Sequence, residues 1–244
     1  MTRTLAEEAA EASTCARCKL ADGRTQVVFG NGDPHADLMF IGEGPGFHED
    51  RKGEPFVGAA GQLLNRMLGE IGLERGDVYV GNIVKCRPPG NRDPEPDEIE
   101  ACTPWLVEQI SLIQPRVIVT LGNFATKFVL HTTTGITRLR GQIHEWHGRT
   151  VIPTFHPAAI LHGGGEKSPQ FAALREDFEL VRRTLDEPLP TPSAPPAFEA
   201  AGPTMARVPA DAPPSSGTAP GEIPRVVPGV PDGPVPDRDQ MELF

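Results

Sequence analysis

Three things are scarce in this sequence. No stretch is apolar and long enough to span a bilayer, and the N-terminus, MTRTLAEEAAEAS, contains no hydrophobic signal core. A membrane-embedded or secreted protein is therefore not expected, and the chain reads as soluble and cytoplasmic. Positive charge is also short, with 23 basic residues against 33 acidic ones and a net charge of −10. That balance argues against a protein that coats nucleic acid non-specifically, while leaving room for a local basic patch. Cysteine is the third scarcity. There are four, and in a reducing compartment metal ligation is a better reading of them than disulfides.

Proline is present in quantity but crowded at one end. Of 27 prolines, 15 lie between Glu187 and Phe244, in a stretch without apolar runs or periodicity. Such a segment cannot bury enough surface to offset its ordering entropy, so residues 187–244 are expected to be disordered. The folded domain is expected over residues 13–186, a size suited to one α/β unit, with residues 1–12 as a flexible N-terminus.

Within that domain, strand and helix patterns alternate. Residues 37–43 (DLMFIGE), 77–84 (DVYVGNIV), 116–122 (RVIVTLG) and 150–157 (TVIPTFHP) read as buried strands. Residues 59–73 place Leu63, Leu64, Met67, Leu68 and Ile71 at helical spacing. Residues 96–113 open with proline and acids, as helix N-termini do, and 168–185 form a closing helix. The expected fold is an α/β/α sandwich around a four-stranded parallel sheet. Ligands of such sheets bind beyond the carboxyl ends of the strands. The GEGPG loop, Asn82, Gly122 and His156 all fall there.

The cysteines form two pairs, Cys15/Cys18 and Cys86/Cys102. Zinc and an iron–sulfur cluster both accept four thiolates, but zinc ribbons usually repeat the short spacing in their second half. Here the second pair encloses fifteen residues rich in proline and charge, which suits a wider cluster. Whatever they bind would tie the N-terminal segment to the loop after the second strand.

Four motifs carry a resemblance. GEGPGFHEDRKGEPFVGAAGQLL, NIVKCRPPGNRDPEPDEIEAC, VIVTLG and TFHPAAIL resemble, nearly residue for residue, the family 4 uracil-DNA glycosylases, over roughly Cys15 to Leu185. The resemblance implies uracil excision from DNA by hydrolysis of the N-glycosidic bond, and a [4Fe–4S] cluster on Cys15, Cys18, Cys86 and Cys102. It implies uracil-containing DNA as partner, a monomer, and a place on the nucleoid when at work. No basic, histidine-containing insertion interrupts the second motif, which disfavours the crosslinking branch of the superfamily. The acids of the first motif separate the chain from family 5. A non-catalytic iron–sulfur DNA-binding scaffold is the alternative, but it would need neither Asn82 nor His156.

Cleavage leaves positive charge on the sugar and negative charge on the base, so donors at the base oxygens matter more than a strong acid. His156 is the expected donor to O2. Asn82 can accept from N3–H and donate to O4, a pattern that cytosine mismatches. Phe56 is expected to offer an exposed ring to the flipped base, and Gly42 and Gly44 to supply backbone around it. Glu43, or the backbone at Gly44, is expected to orient water, where better-known uracil glycosylases place an aspartate at the position of Gly44. Glu49 would crowd the uracil C5 position, and Asp50 caps the loop. Ile160 and Leu161 are candidates for an apolar wedge, and Lys85, Arg87, Arg140, Arg51 and Lys52 for phosphate contacts.

The chain ends DRDQMELF. Gln240, Met241, Leu243 and Phe244 resemble the peptide by which bacterial repair proteins bind the sliding clamp, presented on an extended linker.

Overall fold

The computed structural model describes residues 3–188. In chain order the elements are α1 (Leu5–Ala12), α2 (Leu20–Gly23), β1 (Asn31–Gly32), β2 (Leu38–Gly42), α3 (Phe47–Lys52), α4 (Ala59–Glu70), β3 (Tyr79–Asn82), α5 (Pro96–Ile113), β4 (Val117–Leu121), α6 (Gly122–Leu130), α7 (Ile136–Leu139), β5 (His144–Trp146), β6 (Arg149–Thr154), α8 (Pro157–His162) and α9 (Pro169–Asp186). Among these residues no helix is long and apolar enough to cross a membrane. The tail from residue 189 onward, including the peptide 240–244, lies outside the described residues.

The sheet runs β1-β3-β2-β4-β6-β5. Its centre, β3-β2-β4-β6, is the parallel arrangement expected from the alternation of elements. The expectation of a purely parallel, four-stranded sheet is corrected at both edges, where β1 and β5 pair antiparallel to β3 and β6. Those strands are two and three residues long, and β5 is only partly buried, so neither carries a hydrophobic run. Edge strands this short offer little backbone for pairing with another chain.

The central strands are buried on both faces, and period-two alternation sorts their side chains between two cores. Met39, Ile41, Tyr79 and Ile118 face Trp105, Leu106 and Ile110 of α5, with α1 and α6 alongside. Leu38, Phe40, Val80 and Val119 face Leu64, Met67 and Leu68 of α4 and Leu174 and Phe178 of α9. Each fully buried side chain of this size contributes about 1.5–3 kcal/mol of burial energy. Phe40 and Phe178 stack with centroids 5.8 Å apart, fixing α9 on the sheet.

The helix ends follow their sequence signals. α5 starts with Pro96 at its first turn and a capping box between Glu95 and Glu98. Glu98 is fully buried and receives Arg92 on both oxygens, at 2.8 and 2.6 Å. α9 is capped by Ser168, whose hydroxyl accepts from the Phe171 N–H. The N-terminus requires a correction, because residues 5–12 are helical rather than flexible. Alanine and glutamate favour the helix, Thr4 and Glu7 cap it reciprocally, and Ala12 is buried against α5.

Candidate functional site

β2 gains β3 on one side and β4 on the other, so the chain reverses its direction of winding there. Ligand crevices form beyond the strand ends at such a reversal. Register brings Gly42 level with Asn82, and Leu121 level with Thr154, two residues before His156. A cleft of about 390 Å³ opens at this point, lined by Glu43, Gly44, Glu49, Phe56, Asn82 and His156 among others.

Asn82 is 2 % exposed, and its side-chain Oδ1 has no hydrogen-bond partner. A buried acceptor left open costs about 1–3 kcal/mol, which a ligand donor would recover. Gly42 makes room for it. A Cβ there would fall on Asn82 Oδ1, far inside van der Waals contact, and 2.8 Å from Phe56 Cζ.

His156 is the N-cap of α8, and its Nδ1 accepts from the Ala158 N–H at 3.1 Å. With that lone pair engaged, the neutral ring carries its proton on Nε2 and is a donor there. Burial lowers its pKa to about 4, against the pull of Glu49 and with help from His162, so at neutral pH the ring is uncharged. Gly122 lies behind it with φ +86°, and a Cβ at that residue would stand 2.9 Å from the His156 Cβ. Both the backbone angle and the space require glycine. A glycine ending one strand and opening a helix is the sequence signal for this close approach.

The Phe56 ring lies 5.6 Å from the His156 ring, tilted 31°. The expectation of an exposed ring is corrected: Phe56 is 9 % exposed and packs on the α4 side of the sheet, though it still lines the cleft. Its φ of +56° is strained for a phenylalanine, a cost typical of residues held for a function.

The acids of the first motif divide by partner. Glu43 is held at about pKa 7, first by burial and then by Asp93 nearby. Glu49 Oε1 accepts from the N–H groups of Val57 and Gly58 at 3.0 and 3.1 Å, capping α4, whose own N-cap is a bare glycine. Asp50 is buried and accepts from the Thr25 N–H. Gly44 has no room for an aspartate, because its Cβ would meet Val84 Cγ2 at 2.8 Å.

The residues expected to touch DNA separate sharply. Leu161 is 41 % exposed on the last turn of α8, whereas Ile160 is buried beneath it and cannot serve as a wedge. Lys85 is also corrected, being 1 % exposed. Its Nζ donates to the Asn82 main-chain oxygen at 2.7 Å and to Gln109 Oε1 at 2.5 Å. Arg140 is committed to the fold through Asp177, which also accepts from Thr154 Oγ1, and through the Ala173 carbonyl. Arg87 remains partly exposed, with Nε on Asn91 Oδ1 at 2.7 Å. Arg51 and Lys52 are exposed on α3.

No disulfide joins the four cysteines, which line a single cavity with Arg24, Lys85 and Trp105. Cys15 and Cys18 come from the α1–α2 connection, Cys86 from the loop after β3, and Cys102 from α5. The Lys85 N–H points at Cys102 Sγ (3.2 Å), and Arg24 Nη1 at Cys86 Sγ (3.5 Å). Among the described residues no three His, Cys, Asp or Glu side chains are grouped to hold one metal ion. Four cysteines lining one site, with N–H donors aimed at two of the sulfurs, are a donor set that suits a thiolate-bound metal or cluster.

The family description "Uracil DNA glycosylase superfamily" matches residues 29–179. A type-4 uracil-DNA glycosylase of Sulfurisphaera tokodaii is 46% identical over 187 residues, covering 73% of this chain and 83% of that protein. One of Thermotoga maritima is 49% identical over 149 residues, 60% of this chain and 78% of the relative. A type-5 uracil-DNA glycosylase of Pyrobaculum aerophilum is less similar, 33% identical over 169 residues, 62% of this chain and 72% of its own. With its strand-end cleft and its four cysteines, this chain belongs to the uracil-DNA glycosylase superfamily, in the type-4 branch.

Proposed function

We infer that this chain is a DNA-repair enzyme that releases uracil from DNA and leaves an abasic site. One observation supports the residue roles above the others. A buried amide with an open acceptor and an imidazole whose donor nitrogen is fixed line the same cleft, beside an aromatic ring. Extruded uracil offers the matching groups. Its N3–H would meet Asn82 Oδ1, its O4 the amide Nδ2, and its O2 the Nε2–H of His156, with Phe56 against the ring. The C1′–N1 bond breaks with its electron pair on the base, and hydrogen bonds to O2 and O4 stabilise the anion as it forms. Because His156 stays neutral, it acts as a donor to the oxyanion rather than as an acid.

Glu43, poised near neutrality, faces the same cleft. As a carboxylate it would favour the cationic sugar and align the water whose oxygen bonds C1′, taking that water's proton. Glu49 on the cleft wall would crowd a 5-methyl group and disfavour thymine. Leu161 would fill the space the uracil vacates, and Arg87 would contact phosphate.

Cys15, Cys18, Cys86 and Cys102 would hold the [4Fe–4S] cluster. When bound, the cluster supplies a rigid cross-link between α1, α5 and the loop carrying Lys85. A Cys18→Ser protein should lose the visible absorption of the purified wild type. The C-terminal residues Gln240, Met241, Leu243 and Phe244 would recruit the sliding clamp, and binding of a peptide of the last ten residues tests that. For the reaction itself, the purified chain is incubated with an oligonucleotide carrying one deoxyuridine, then treated with alkali. Strand cleavage at the deoxyuridine is the expected result, and an intact strand would refute the reading.

A further inference from the structure

Phe47 is 43 % exposed, one of three large apolar side chains so placed among the described residues. It opens α3 directly after Gly46, which lines the cleft. Two guanidiniums lie over its ring: Arg51, one helical turn on, at 5.5 Å from the centroid, and Arg87, from the loop after Cys86, at 5.0 Å. His48 meets the ring edge-on at 5.5 Å. Arg87 is steadied by Asn91, itself a cleft residue.

What marks this patch is two cations without ion pairs on one exposed ring, not the lack of an ion pair itself, which Arg24, Arg75, Arg138, Arg149 and Arg183 share among the described residues. Arg3, Arg66, Arg92, Arg116, Arg140 and Arg175 each pair with a carboxylate. No such ion pair engages Arg51 or Arg87 among the described residues, in a chain whose net charge is −10. A partly exposed aromatic ring beside two guanidiniums without ion pairs is the composition of a single-strand subsite. Bases stack on aromatic and guanidinium surfaces regardless of sequence, while phosphates find the cations.

We propose that Phe47, Arg51 and Arg87 form a subsite for the nucleotide flanking the extruded uracil. An unpaired base packs on Phe47, and its phosphates are neutralised by the two arginines. The site touches the cleft rim through Gly46 and Asn91, so one strand can occupy both. A base already stacked and paired in a duplex gains less from the platform than an unpaired one, so the subsite favours single-stranded substrate. This inference rests on the glycosylase reading and adds a binding site to it.

The test uses the full chain and one uracil-bearing sequence, offered as a single strand and as a duplex. Phe47→Ala should raise KM on the single strand about tenfold, and less on the duplex, with the loss falling mainly in KM. Phe47→Trp should restore binding. Arg51→Ala should reduce the salt dependence of single-strand binding by about 0.7 in log–log slope. An unchanged single-strand KM in Phe47→Ala, or equal losses on both substrates, would overturn the proposal. A wild-type chain that releases no uracil would instead overturn the reading beneath it, and direct binding to a uracil-free single strand would still report on Phe47.

Discussion

The ammonium nitrogen of Lys85 lies 2.7 Å from the main-chain oxygen of Asn82, and the backbone N–H of the same lysine points at Cys102 Sγ, 3.2 Å away. One buried residue thus joins the backbone of the cleft asparagine to the cysteine cavity. Gln109 completes the join, accepting from Lys85 and donating to the Phe29 carbonyl and the Tyr79 hydroxyl. Replacing Lys85 by methionine keeps the volume but strips donors from two buried acceptors. We expect a loss of about 1–3 kcal/mol in denaturant unfolding, with a lower kcat as Asn82 loses its support. A Lys85→Met protein as stable and as active as the wild type would show that the join is incidental.

Gly42→Ala tests how the pocket is spaced. Its Cβ would strike the tip of Asn82 and the rim of Phe56, both side-chain atoms that can shift. Activity should therefore fall much further than stability. A thermal melt within a few degrees of wild type, alongside a kcat reduced by at least about tenfold, is the expected pair, since small misplacements at a reacting centre cost rate steeply.

The two perturbed groups of the cleft contribute unequally to the pH dependence of the rate. Glu43 titrates near 7 in the folded protein, so the rate should climb through neutrality as its carboxylate forms. Glu43→Gln should flatten that limb. His156 stays neutral down to about pH 4 and adds no limb above it.

Stability follows from the same shifts. The folded pKa of His156 is below its ordinary 6.5, so its contribution is present above 6.5 and is lost as pH falls toward 4. The folded pKa of Glu43 is above its ordinary 4.5, so its contribution is present below 4.5 and is lost as pH rises through 7. Glu43→Gln should accordingly gain stability over wild type at pH 8 and none at pH 4, as read by denaturant midpoints.

Much of this was legible in the sequence where one local signal sufficed. Proline and acids at residues 96–98 announce the start of α5, and four apolar runs announce the four central strands. What was not legible depends on distant partners. A lysine beside a cysteine in a polar loop reads as exposed, and its burial depends on two acceptors, the Asn82 carbonyl and Gln109 on the facing helix. Arg140 reads as a free cation until Asp177 is brought to it from α9. Ile160 and Leu161 are chemically alike, and the packing of α4 and α9 decides which of them faces out. The edge strands are too short to carry any pattern at all. The same holds for the tie between Glu49 and the start of α4, which is a matter of where two loops meet.

In the proposed reaction a neutral imidazole with a fixed donor nitrogen stabilises the charge on the departing base. Single-turnover uracil release at pH 7 by wild type and His156→Ala measures this, with folding checked by circular dichroism. A folded variant whose rate is about 10²–10³ lower is expected. A folded His156→Ala protein that releases uracil at the wild-type rate would contradict it.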